Sequence, residues 1–140
     1  MNGDGLESLE CNISGRESEN ETILEVVNGY PAFFRASELF TRFVSGHETR
    51  TEVRFYTYNE ENDGVLEGVI DLVVFLDDYN LVIDYKTDRA KAPLEHKRQV
   101  VTYVKTAEKL WKKPCYGTLF YLREGKTEAF WDRDGNEVCL

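Results

Sequence analysis

Two aspartates and a lysine, Asp71, Asp84 and Lys86, interrupt two runs of Val, Ile, Leu and Phe at residues 65–76 and 80–86. The apolar residues occupy both parities of each run, so each run reads as a strand covered on both faces. A charge survives in such a place only with a counter-charge, a hydrogen-bond network or a metal, because an unpaired buried ion is expensive. If Asp77 and Asp78 form a two-residue hairpin loop, Asp71 lies opposite Asp84. A four-residue loop through Asn80 sets it opposite Lys86 instead. Asp84 and Lys86 are two residues apart and share a strand face, so either register converges two carboxylates and an ammonium at one end of the hairpin. Such a group can bind a hard divalent cation and hold a basic side chain beside it. The competing reading is a structural buried ion pair. Two acids with one base leave surplus negative charge, which favours the cation.

The segments around this hairpin read as the elements that would position it. Residues 19–27 are predicted to form a short helix ended by Asn28-Gly29, with Pro31 blocking continuation. An amphipathic helix follows over residues 32–44, its Phe33, Phe34, Leu39, Phe40, Phe43 and Val44 at mixed spacings of three and four, closed by Ser45-Gly46. Residues 51–58 alternate as a strand, and 59–64 form a polar turn cluster. With the two apolar strands this makes a three-stranded meander. Pro93 suits the first turn of a helix running to about residue 112, where Pro114 stops it; Leu94, Val101, Val104, Ala107 and Trp111 are its predicted inward stripe. Residues 116–122 and 127–131 are aromatic-rich strands split by a turn at 123–126. The order helix, strand, strand, strand, helix, strand, strand predicts an α/β domain with a central mixed sheet and helices packed on it.

Length and composition bound the rest. The chain has 140 residues, 41% of them apolar and 13% aromatic, which suits one globular domain over residues 19–140 behind a flexible acidic lead-in at 1–18. No apolar run approaches the ~18 residues of a membrane span, and no secretory signal pattern opens the chain, so a cytoplasmic location is expected. Cys11, Cys115 and Cys139 are odd in number and lack Cys-x-x-Cys spacing, which argues against a disulfide frame, a zinc site or an iron–sulfur cluster. The net charge of −9 counts against a polyanionic partner. Its distribution softens that objection: residues 1–28 hold seven acidic side chains against Arg16, whereas residues 86–113 hold nine basic ones against three acidic.

The spacing Gly68-x-Ile70-Asp71, then Asp84-Tyr85-Lys86-Thr87-Asp88, then Gln99-x-x-x-Tyr103 resembles the PD-(D/E)XK nuclease superfamily. Within it, Ile83 to Arg89 and the preceding Glu52-x-x-Phe55 look like the RecB and AddA type nuclease domain of recombination helicase-nucleases. The resemblance covers residues 33–122 and implies a restriction-endonuclease-like core. It further implies metal-dependent hydrolysis of DNA phosphodiester bonds with Mg²⁺ or Mn²⁺, and a helicase or helicase-nuclease subunit as a further partner.

Residue by residue, it makes Asp71 and Asp84 the metal-binding carboxylates and Lys86 the catalytic lysine. The Tyr85 carbonyl becomes an additional ligand, Glu52 a further candidate ligand, and Gln99 and Tyr103 substrate-positioning residues. Physical chemistry agrees: Mg²⁺ prefers oxygen ligands, and a lysine beside a metal-bound water can offset charge developing on the phosphate. The family's upstream histidine ligand is not carried onto His47, and His47 and His96 read as solvated side chains. The alternative function is a catalytically impaired nuclease-fold module that binds nucleic acid or a helicase partner.

Overall fold

The computed structural model describes residues 26–27, 29–59, 63–87 and 93–140. Two compact units divide between Arg42 and Phe43. The acidic lead-in and residues 19–25 of the predicted first helix lie outside the described residues.

In the first unit, Val26–Val27 (β1) pairs antiparallel with Tyr30–Pro31 (β2), so this part of the predicted helix is a strand. Two β-branched residues before an Asn-Gly turn favour a hairpin, and Gly29 takes the positive φ of 85° that the reversal requires. The helix predicted over residues 32–44 is also broken. Ala32–Arg35 (α1) ends after one turn, and a π-helical turn follows at Phe40–Val44. Ser37 causes the break: its hydroxyl donates to the Phe34 carbonyl (2.6 Å) and accepts the Phe40 N–H (3.2 Å), offering the backbone a cap in place of a continuous helix. The Phe40 ring lies 5.2 Å from that of Tyr30 and 5.5 Å from that of Phe34, whereas Phe33, predicted on the same stripe, is exposed.

The second unit is built on Glu48–Asn59 (β3), Gly64–Phe75 (β4), Asn80–Lys86 (β5), Pro93–Trp111 (α2), Cys115–Tyr121 (β6), Lys126–Thr127 (β7), Phe130–Trp131 (β8) and Glu137–Val138 (β9). The sheet order is β9-β8-β6-β5-β4-β3, with β7 also pairing β6. β3, β4 and β5 form the expected antiparallel meander, and β5 and β6 are parallel, connected through α2. The predicted mixed α/β sheet is therefore what forms. The last predicted strand is split into β7 and β8 because the buried Thr118 hydroxyl lies 3.0 Å from the carbonyls of both Glu128 and Ala129, drawing that stretch out of the ladder.

α2 lies on the sheet through Val100, Tyr103, Val104 and Ala107. Leu94, predicted on this stripe, is exposed: it stands six residues from Val100, about 120° around the helix. Close approach to β6 depends on Gly117, where a Cβ would come within 2.5 Å of Val100 Cγ1 and 2.7 Å of Val104 Cγ2.

One irregularity in the sheet matters for the site. β3 and β4 pair Thr51 with Leu72 and Val53 with Ile70, but the intervening Glu52 and Asp71 are not paired, and Glu52 has φ 52°, uncommon outside glycine. The strand face turned to α2 changes parity there. Gly68 lies under Phe55 and Tyr103, and Ile70 belongs to the same core, but beyond Asp71 it is Val73 that joins this core and Phe75 that packs on Trp111. Both strands thus step out of the pleat at one point, as at a bulge.

Candidate active site

Asp71 sits at that step. The β4–β5 ladder pairs Phe75 with Asn80 through Leu72 with Ile83 and goes no further, and the Leu76 N–H donates to the Tyr79 carbonyl across the turn. This is the register of the two-residue loop, and its continuation puts Asp71 across from Asp84. Where the ladder stops, the Asp71 side chain substitutes for the strand: its Oδ2 accepts the Tyr85 N–H at 2.9 Å. In an extended strand the N–H and C=O of one residue point to the same side, so the Tyr85 carbonyl is also directed toward the Asp71 edge.

Asp84 and Lys86 project from β5 toward α2. Lys86 Nζ lies 3.1 Å from Asp84 Oδ2 and donates to Gln99 Oε1 at 2.6 Å. Asp84 is 4% exposed, and its Oδ2 makes no aligned hydrogen bond among the described residues despite the nearby ammonium. Burial pushes the Asp84 carboxyl up to about 7, and the hydrogen bond and negative charge of Asp71 push the same way, against the pull of Lys86. Two carboxylates sharing one buried spot favour either a proton or a cation between them.

Gln99 and Tyr103 are one turn apart on α2. Tyr103 is buried, its ring edge-on to Phe55 at 5.5 Å, and its hydroxyl is held above its usual range by burial and by the charges of Asp84 and Asp71. A hydrogen bond with Gln99 acts in the opposite direction. The structure therefore brings together Asp71, Asp84, Tyr85, Lys86, Gln99 and Tyr103.

It does not gather Glu52 with them. That residue stands across from Asp71 in the β3–β4 register and is exposed, and among the described residues no three His, Cys, Asp or Glu side chains form a group able to hold a metal. Of the histidines, His47 is exposed, while His96 places Nδ1 3.3 Å from the Tyr121 hydroxyl and is not simply solvated.

Phe55 and Gly68, present in the motifs that carry the family resemblance but given no role there, are supporting residues. A Cβ on Gly68 would lie 2.8 Å from the Phe55 ring, which in turn backs Tyr103. The available signal was a glycine three residues before Asp71 inside an apolar strand, the mark of a close approach.

The donor set fits an oxygen-preferring divalent cation. A buried carboxylate oxygen without an aligned hydrogen bond, a second carboxylate against it and a carbonyl aimed at the same edge are the ligand types that Mg²⁺ or Mn²⁺ takes, with water completing the shell.

A family model described as the PD-(D/E)XK nuclease superfamily matches residues 18–136. No curated protein matches the chain. The mixed sheet with α2 between its parallel strands is consistent with a restriction-endonuclease-like core.

Proposed function

Because the chain belongs to the PD-(D/E)XK nuclease superfamily, we propose that it is a divalent-metal-dependent deoxyribonuclease of the RecB/AddA type, with residues 19–140 acting as one nuclease domain. The observation that carries this reading is the convergence of Asp71, Asp84 and Lys86 at the point where β4 parts from β5, with Gln99 holding the lysine. Asp71, Asp84 and the Tyr85 carbonyl would hold Mg²⁺ or Mn²⁺, and Glu52 is a further ligand only if its side chain turns toward the pair. When bound, such an ion supplies an acidified water and charge neutralisation at the scissile phosphate.

The remaining work belongs to the side chains. An ammonium has three donors. Lys86 directs one to Gln99 and lies against Asp84, which leaves donor capacity for a phosphate oxygen or an attacking water. Gln99 fixes the lysine's position, and Tyr103 supports Gln99 from the core. Exonuclease-type action in recombination or repair, alongside a helicase or helicase-nuclease partner, follows from the RecB/AddA resemblance.

Linear DNA with Mg²⁺ or Mn²⁺ tests the proposal. Chelator-sensitive cleavage should disappear in folded Asp84→Asn and Lys86→Gln variants, and cleavage retained in both would sink it. A second reading, a nuclease-fold module that grips nucleic acid or a helicase without turnover, is favoured by the two-carboxylate site lacking a third His, Cys, Asp or Glu among the described residues. It predicts salt-dependent DNA binding with no cleavage under either metal.

A further inference from the structure

Nine basic residues crowd residues 86–113 of a chain with a net charge of −9, and the site just described absorbs only Lys86. Lys97 lies over the Trp131 ring, and Lys113 donates to the Leu76 carbonyl. Others are arranged along α2. Arg98, Thr102, Lys105 and Lys109 recur at intervals of four and three, the spacing of one helical face, and Lys112 follows directly after the last helical residue. This stripe begins beside Gln99, which touches Lys86. It ends at an open cleft of about 600 Å³ lined by Lys105, Lys109, Lys112, Lys113 and Arg133, with Glu108 as its one carboxylate.

Glu108 is already engaged. One oxygen lies 3.3 Å from Arg133 and the other accepts the Cys115 N–H at 3.0 Å. No hydrogen bond or ion pair among the described residues engages the ammonium groups of Lys105, Lys109 or Lys112. Lysines in a last helical turn are favoured by the helix dipole, which would by itself account for some of this charge. It does not account for the backbone of Lys112, which follows the helix with φ 52°, a conformation that suits glycine. A lysine there carries backbone strain at the mouth of a cationic cleft, a combination that points to use.

We propose that the Arg98–Lys112 stripe and the cleft at its end form a track for the phosphate backbone of a DNA strand whose scissile phosphate lies at Asp71 and Asp84. The proposal rests on the nuclease reading for its choice of polyanion. Ten to thirteen residues of helix separate Gln99 from Lys109 and Lys112, a rise of about 15–20 Å. For a strand that keeps its bases stacked as in a duplex, at about 3.4 Å per nucleotide, the cleft meets it about five nucleotides from the carboxylates.

The test uses the full chain in chelator, so that no hydrolysis intervenes, with fluorescein-labelled single strands of about 5 and about 15 nucleotides read by anisotropy. The longer strand is expected to bind more tightly than the shorter one. In the triple variant Lys105→Gln, Lys109→Gln, Lys112→Gln that gain should vanish, and the slope of log K against log salt should be shallower by about 2, at about 0.7 per phosphate contact. The wild type would then lose about 20-fold more affinity than the variant between 50 and 200 mM salt, both about the usual range.

A Lys112→Gly variant separates charge from folding. It should unfold at the same or higher urea concentration than the wild type, yet show a slope shallower by about 0.7. Unchanged affinity and slope in a folded triple variant overturn the track, whatever the wild type does to DNA in Mg²⁺. Lost slope in the triple variant, together with a wild type that never cleaves, keeps the track and overturns the nuclease reading. A wild type that binds neither strand overturns the track, and cleavage in Mg²⁺ then decides the nuclease reading separately.

Discussion

Replacing Asp84 with asparagine keeps the size of the side chain and removes a charge that burial and Asp71 both disfavour. In the folded chain this carboxyl titrates at about 7, against an ordinary 3.8. Between those values the folded chain holds a proton that the unfolded chain has released. The stability this contributes is complete below about pH 4 and is lost as pH rises through about 7. At about 1.4 kcal/mol per tenfold, the interval sets a ceiling of about 4 kcal/mol. The amide of Asp84→Asn stays neutral throughout, although Lys86 then lacks its partner, which reduces the gain. In chelator the variant should match the wild type near pH 4 and exceed its unfolding free energy by about 1–4 kcal/mol at pH 8. Urea titrations followed by the fluorescence of Trp111 and Trp131 report this directly. Added Mn²⁺ should narrow the gap at pH 8, because a ligand of the folded state stabilises the wild type through the carboxylates. A gap that is independent of pH, or a variant less stable than the wild type at pH 8, would refute the reasoning.

Gly117→Ala should destabilise the chain by about 1–3 kcal/mol in the same titrations, since the new methyl meets Val100 and Val104 on α2 at 2.5 and 2.7 Å. Gln99→Ala releases Lys86 from a 2.6 Å hydrogen bond; cleavage is expected to fall by about tenfold with little change in DNA affinity, and an equal fall in both would make Gln99 a binding residue. Burial and the charge of Glu108 push the Cys115 thiol up to about 12, so iodoacetamide at pH 8 should modify the exposed Cys139 and spare Cys115 until urea unfolds the chain, as peptide mapping can show. DNA cleavage should rise from pH 5 to pH 8 as Asp84 loses its proton and becomes able to take a cation, and the profile in Mg²⁺ measures it.

Much of this was legible in the residues. β4, β5 and α2 follow from apolar runs and from the Pro93 and Pro114 boundaries, because strand and helix periodicity are local. The convergence of Asp84 and Lys86 was equally legible, being two residues apart on one strand. The first unit was not. Ser37 reads as lying near the entry of one helix over residues 32–44, and only the folded chain shows its hydroxyl both donating to the Phe34 carbonyl and accepting the Phe40 N–H, which separates two short turns. The split of the last strand likewise depends on Thr118, whose two carbonyl contacts are ten and eleven residues away.

The sequence by itself determined which groups carry charge inside the sheet and that they share a hairpin, since alternation and apolar run length are properties of adjacent residues. Which of two registers holds, and where that register ends, came from tertiary structure. The step at Glu52 and Asp71 exists because two strands leave the pleat together while each keeps an apolar side chain against α2, a requirement neither strand states alone. The same is true of the lysines. Their number is read from the chain, but only the docking of α2 against β6 and of the β8–β9 turn beside its end gathers them with Arg133 into one cleft.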